Sequence, residues 1–228
     1  MLTNYDFIDH DRIYVLGSSN GGYMAYRLAC DLAYRITSFT SVIGNMFLDD
    51  DGLDCIDQDR DIPILHIHGT EDPINSYYPG GNGVDILDDQ YLTIIESIEF
   101  WSNYHQYDEM EIDTVLSDVS IRYTYSSDSA ISNFEHIKVV GGGHIYFYGN
   151  SYGFSSTQEA IDYSLQYKLS DFIINQEDVN DDGLFNIEDI NVVVDYLFDE
   201  LPSNLSYDFN SDQNIDIFDL LIISDLIF

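Results

Sequence analysis

Positive charge is what this chain has least of: 7 Lys+Arg stand against 42 Asp+Glu, for a formal net charge of −35. A surface of that sign repels nucleic acid and anionic membranes, so neither is expected as a partner. It suits a protein exposed to salty water, and it also offers carboxylates to a cation. Long apolar runs are missing too. No stretch reaches the roughly eighteen residues that a membrane-spanning helix needs, so membrane insertion is not expected. A basic segment followed by an apolar one is missing from "MLTNYDFIDHDR", and no signal peptide is visible there. Cysteine is scarce, with Cys30 and Cys55 as the two. Either they join as one disulfide, worth about 3 kcal/mol in the chain-entropy model, or they remain two buried thiols.

What is present is the makings of a core. At 228 residues and 45% hydrophobic content, the chain is long enough for one medium domain and a small one. Up to about residue 174, short β-branched runs closed by Gly or Asn alternate with amphipathic stretches. "RIYVLG" (12–17), "SFTSVIGN" (38–45), "IPILHIHG" (62–69) and "HIKVVGG" (136–142) read as strands. Segments 20–33, 86–105 and 157–174 read as helices, the last with Ala160, Tyr163, Ser164, Tyr167 and Phe172 on one side. Such alternation predicts an α/β domain with a largely parallel sheet.

Within that frame, "LGSSNGG" puts Ser19 between an apolar strand and a helix, with Gly17, Gly21 and Gly22 around it. A strand, a sharp turn through serine and a helix form a nucleophile elbow, in which flanking glycines avoid a clash. The helix start directs the Asn20 backbone N–H toward the place where an oxyanion would form. Serine needs a base to take its proton, and the base needs an acid to orient it. In chain order these are expected as Asp or Glu and then His, each after a strand. Asp72 in "HGTEDP" and His144 in "GGGH" meet that order, and glycines 141–143 allow the turn that carries the histidine back. His66 and His68, inside a strand, read as packing residues whose ring nitrogens are satisfied.

The segments "RIYVLGSSNGGYMAYRLACDLAYRI", "PILHIHGTEDPI" and "VVGGGH" resemble those of the poly(3-hydroxybutyrate) depolymerase and feruloyl esterase family of secreted α/β-hydrolases. The likeness runs over about residues 8 to 174. It implies ester hydrolysis through an acyl-enzyme, with Ser19 as nucleophile, His144 as base and then acid, and Asp72 as the orienting carboxylate. It implies a Cys30–Cys55 disulfide, and, through "EFWSNY" at 99–104, that Trp101 belongs to the core. It also implies several strands and an oxyanion loop ahead of the elbow. The expectation is therefore a fragment of a longer secreted hydrolase with impaired activity, its N-terminal half and signal peptide lying upstream. The resemblance implies no cofactor for catalysis.

After Gln176 the chain carries 14 acids and no Lys or Arg, and it repeats with a period of 30. "DVNDDGLFNIEDI" from Asp178 aligns with "DFNSDQNIDIFDL" from Asp208. Apolar positions follow in register: Ile190 with Leu220, Val193 with Ile223, Leu197 with Ile227, Phe198 with Phe228. Their spacing marks one face of a helix in each copy, each predicted to bury that face against the other. A calcium loop takes oxygens from positions 1, 3, 5, 7, 9 and 12. The first loop offers Asp178, Asn180, Asp182, the Leu184 carbonyl, Asn186 and Asp189, with Gly183 at the turn. The second offers Asp208, Asn210, Asp212, the Asn214 carbonyl, Asp216 and Asp219. Gln213 replaces the turn glycine there, at about 1 kcal/mol, so the second site is expected to be weaker.

Two such loops, each with one following helix and Asp at position 12, resemble the type I dockerin module. That implies two calcium ions and a cohesin on a scaffold protein or cell surface as partner. The domains are accordingly 1–174, a hydrolase of α/β class lacking its N-terminal strands; 175–177, a linker; and 178–228, a small all-α calcium module. The function expected is a secreted serine esterase acting on a polyester or on feruloylated or acetylated polysaccharide. Two alternatives stay open: a serine peptidase of the prolyl-oligopeptidase kind, and a non-catalytic calcium-dependent cohesin-binding protein.

Overall fold

The protein is described here from a computed structural model, which covers residues 8–9, 11–33, 35–46, 61–80, 92–128, 130–172, 187–199, 209 and 215–227. The chain divides into two compact units, Asp9–Phe172 and one containing residues 173–228.

In the first unit the elements run β1 (Tyr14–Ser18), α1 (Asn20–Asp31), β2 (Ser38–Val42), β3 (Ile64–Gly69), α2 (Ile94–Tyr104), β4 (Glu109–Val115), β5 (Ser120–Ser126), β6 (Phe134–Val139) and α3 (Ser156–Ser164). A short 3₁₀ turn, Leu169–Asp171, follows. They build one six-stranded sheet in the order β1-β2-β3-β6-β5-β4. Strands β1, β2, β3 and β6 pair in parallel, with Tyr14 opposite Ser38, Phe39 opposite Ile64 and Ile64 opposite Phe134. The four strands read from the sequence are these four.

The antiparallel part differs from expectation. Residues 106–135, to which the sequence analysis assigns no element, hold the β4–β5 hairpin, and β5 pairs antiparallel with β6. The sheet is therefore mixed. Helix α3 is also shorter than 157–174, because it stops at Ser164 and the chain turns at Leu165. Helix α2 starts at a capping box, in which Glu96 N donates to Thr93 Oγ1 and Thr93 N to Glu96 Oε2.

Alternation along the strands divides the core in two. On one face Ile64 and Phe134 pack with Ala25, Tyr26, Phe39 and Trp101 under α1 and α2. On the other, Leu65, Ile67, Ile137 and Val139 pack with Phe147 and Tyr163. Trp101 is fully buried.

The second unit contains α4 (Ile187–Asp199) and α5 (Ile217–Ile227), which pack against each other. Ile190, Val193 and Ile223 form their shared core, with Val194, Leu197, Phe209 and Leu220 around it. Ile190, Val193, Leu197, Leu220 and Ile223 are periodic apolar positions read from the sequence, whereas Val194 and Phe209 are not, and the side chains of Phe198, Ile227 and Phe228 lie outside the described residues. No helix among the described residues is long and apolar enough to cross a membrane.

Candidate active site

Because β1, β3 and β6 are parallel, their carboxyl ends lie along one edge of the sheet. Each of the three candidate side chains sits just past one of those ends.

Ser19 follows β1 and caps α1 with φ 53 and ψ −118, a backbone conformation that is strained for a residue with a Cβ. Three backbone hydrogen bonds hold it: Ser19 N donates to Val42 O at 2.8 Å, and Gly22 N and Tyr23 N donate to Ser19 O at 2.8 and 3.2 Å. The turn is possible because neighbouring backbones touch. A Cβ on Gly17 would overlap the Gly21 carbonyl, and one on Gly22 would strike Ser41 and Gly44. Gly44, which the sequence analysis passes over, is equally confined, by Gly22 and the Ser19 carbonyl. Gly21 is not confined: a Cβ there meets nothing within 4 Å. Its presence in the motif is therefore not explained by crowding. As the first residue of α1, Asn20 has a backbone N–H with no acceptor in the helix, pointing out of its start.

Asp72 follows β3. Its Oδ1 accepts Ile74 N at 2.8 Å and Asn75 N at 2.9 Å, which folds "EDPIN" into a tight turn around the carboxylate. Asp72 is 4% exposed. Burial alone would raise its pKa, but hydrogen bonds from His68, Asn75 and Ile74 prevail and hold it down to about 2.

His144 follows β6 through Gly141, at φ 72, and Gly142, whose Cβ would press on Gly69, Phe147 and Val139. Backbone bonds tie this loop to the one carrying Asp72. Gly141 N donates to Thr70 Oγ1 at 2.9 Å and Glu71 N to Gly142 O at 2.9 Å.

The three side chains meet. Ser19 Oγ lies 2.8 Å from His144 Nε2, and His144 Nδ1 lies 2.8 Å from Asp72 Oδ2. An ionised Asp72 can only accept, so His144 carries its hydrogen on Nδ1 and leaves Nε2 free to accept from the serine hydroxyl. Chemically this is an alcohol, a base placed to remove its proton and an acid placed to hold the base.

Two residues around this line go beyond the sequence analysis. Asn75, 5% exposed, donates Nδ2–H to Ile43 O at 2.6 Å and accepts the Tyr23 hydroxyl at Oδ1. It thereby connects α1, the loop after β2 and the Asp72 turn. His68 is fully buried, as a packing residue would be, but its Nε2 lies 3.1 Å from Asp72 Oδ2. The spacing of four between His68 and Asp72 in "HIHGTED" was the available signal.

Cys30 is disulfide-bonded, and Cys55 lies outside the described residues. So do Asp178, Asn180, Asp182, Leu184, Asn186, Asp208, Asn210, Asp212 and Asn214 of the two acidic loops. Of the candidate calcium ligands, Asp189, Asp216 and Asp219 are described. Asp189 and Asp219, one repeat apart, are both fully buried. Asp219 Oδ2 accepts Asp216 N at 2.7 Å, and Asp216 Oδ1 accepts Phe218 N at 2.8 Å. Among the described residues, no three His, Cys, Asp or Glu side chains group as a metal site. The donors are all oxygen, the kind that a hard cation such as calcium takes.

No family profile matches the chain, and no curated protein resembles it in sequence. Among solved structures it is similar to an acetyl xylan esterase from Aspergillus awamori, at 17% identity and a TM-score of 0.40. The match covers 63% of this chain and 57% of that one. The chain thus spans less than two thirds of that esterase's length. The first unit is a mixed α/β sheet with helices on both faces and a Ser–His–Asp line along one edge.

Proposed function

We propose that this chain is a serine esterase of the α/β-hydrolase class, secreted and acting on ester bonds of a polyester or plant polysaccharide. The observation that carries the proposal is the hydrogen-bonded line Ser19 Oγ, His144 Nε2, His144 Nδ1, Asp72 Oδ2 at the carboxyl ends of three parallel strands.

In this reading His144 Nε2 takes the hydroxyl proton as Ser19 Oγ attacks the ester carbonyl. The carbonyl π electrons move onto oxygen, where the Asn20 N–H donates to the oxyanion. Collapse of the tetrahedral intermediate breaks the bond to the alcohol, which leaves with the proton from His144, and Ser19 is acylated. Water then loses a proton to His144 and attacks the acyl group, and Ser19 Oγ leaves with that proton. Asp72 stays ionised throughout, facing the imidazolium that forms twice.

Residues 178–228 are proposed as a dockerin-like module binding two calcium ions through the oxygens of the two acidic loops, with a cohesin as partner. Calcium would neutralise carboxylates that otherwise repel one another, so the module's folding would depend on it. It has no part in the ester chemistry.

The test is a panel of feruloyl, acetyl and 3-hydroxybutyrate esters alongside a peptide amide, with a fluorophosphonate as probe of Ser19. Ester turnover and labelling, both lost in Ser19→Ala, are the expected results. Amide turnover in preference to ester turnover would transfer the site to the peptidase class. Cohesin capture with no labelling of Ser19 would leave a binding protein.

A further inference from the structure

All the acceptor directions of Asp72 are occupied. Oδ1 takes two backbone N–H groups, from Ile74 and Asn75, and Oδ2 faces two imidazoles. One is His144 at 2.8 Å, and the other is His68 at 3.1 Å. A carboxylate has about four such directions, so none is left for water.

The tautomer of His68 follows from its neighbours. Its Nε2 faces Asp72 Oδ2 and, at 3.3 Å, Asn75 O. Both are acceptors, so Nε2 carries the hydrogen and donates. Nδ1 then holds a lone pair, which lies 3.3 Å from His66 Nε2. His66 in turn must supply an N–H there. The result is a directed row, His66 to His68 to Asp72, ending on the oxygen that also holds His144. Strand register fixes the row, because His66 and His68 share one face of β3 and His136 stands opposite His66 on β6. His136 is occupied elsewhere, its Nε2 2.7 Å from the Tyr77 hydroxyl.

We propose that His68 is a positioning residue for the Ser19–His144–Asp72 line, donating Nε2–H to Asp72 Oδ2 and so fixing the orientation and sharing the charge of the carboxylate that holds His144. The inference rests on the esterase reading for its catalytic meaning but not for its geometry. His68 does not touch substrate; it acts through Asp72. Two effects follow from its removal. The carboxylate gains freedom to turn about its Oδ1 bonds, which loosens His144. Its undivided negative charge also attracts the proton on His144 more strongly. Ser19 faces His144 from the elbow; His66 and Tyr77 pack on the His68 ring, His136 packs on both of those, and Lys138 lies over the Tyr77 ring at 5.5 Å.

The experiment combines NMR with kinetics on the full chain. In ¹⁵N-histidine spectra of the wild type, His68 is expected as the Nε2–H tautomer, and His144 gives a titration midpoint. His68→Phe is expected to move that midpoint upward and to lower kcat on an activated aryl ester about tenfold or more, with KM little changed. His68→Gln keeps a donor near Nε2 and is expected to return both to near wild type. An Nδ1–H tautomer at His68 overturns the proposal. So does a folded His68→Phe protein with an unchanged His144 midpoint and kcat, even if it melts earlier. If the phenylalanine variant does not fold, the tautomer and His68→Gln decide. If the wild type hydrolyses no ester, the esterase reading falls while the His144 titration still judges His68.

Discussion

The Tyr23 hydroxyl donates to Asn75 Oδ1, so the helix that begins at the elbow is tied directly to the turn that holds Asp72. Asn75 also reaches Ile43 O, on the loop after β2, where Ile43 itself is held at φ 51. One amide therefore braces three segments that converge on the site.

Removing that amide leaves the buried Ile43 carbonyl without its donor and cuts the ties of the Asp72 turn to Ile43 and Tyr23, while the backbone bonds within the turn remain. Asn75→Ala is expected to lower stability by about 1–3 kcal/mol, read as a fall in the urea midpoint. Tyr23→Phe is expected to cost less, since Asn75 keeps its bonds to Ile43 and Asp72. Equal losses in the two variants would show that the brace does not work through Asn75.

The glycines of the elbow should behave differently. Gly17→Ala places a Cβ on the Gly21 carbonyl, so the turn cannot close and labelling of Ser19 by a fluorophosphonate should be lost. Gly21→Ala finds open space in a helix and should leave stability equal or raise it by about 0.5–1 kcal/mol. Labelling kinetics and thermal melts of the two proteins test this together.

Acid should unfold the first unit through its histidines. Burial lowers the pKa of His66 and His68 and brings that of His136 to about 3, favouring the neutral ring in the fold. Unfolded, each takes a proton near pH 6.5. Their contribution is thus complete above about pH 6.5 and is lost as pH falls below it. Asp72, held at about 2, adds stability above about pH 4 that is lost as pH falls toward 2. Relief of repulsion among the surface acids works the other way, so a variant gives the cleaner comparison. His136→Gln should flatten the dependence of the urea midpoint on pH between 6 and 4. A slope identical to wild type would contradict burial of a neutral His136.

Reduction should weaken the fold around α1, since Cys30 is disulfide-bonded. A loss of about 3 kcal/mol is expected between oxidised and reduced protein, measured by urea unfolding with and without a thiol reductant. No difference would place the bond outside the cooperative unit.

Calcium should act on the second unit alone. Saturation at about a hundred times Kd adds about 2.7 kcal/mol, so a chelator is expected to lower one thermal transition and leave that of the first unit in place. Circular dichroism of the full chain unaffected by chelation would remove the calcium assignment.

The short β-branched runs of β2, β3 and β6 were legible because both their faces are buried, and such strands read as continuous apolar stretches, whereas β1, at the edge of the sheet, leaves Leu16 exposed. Helices α4 and α5 were legible for a related reason: their apolar positions repeat twice at helical spacing. The hairpin was not, although "EMEID" and "IRYTY" alternate. Met110 and Ile112 on the edge strand point their apolar side chains to the exterior, so the pattern does not mark a core face. Gly21 shows the opposite error, a residue that belongs to the motif in sequence but is not crowded in space.

By itself the sequence determined the chemical types at the site and their order along the chain, serine, then aspartate, then histidine, each after a strand. Spacing could go no further, because Ser19 and His144 are separated by most of the first unit. Only the parallel pairing of β1, β2, β3 and β6 brings their ends to one edge, and only that places Ser19 Oγ 2.8 Å from His144 Nε2. The contacts of Gly44 and Asn75 were decided the same way, since each joins segments that no local pattern records.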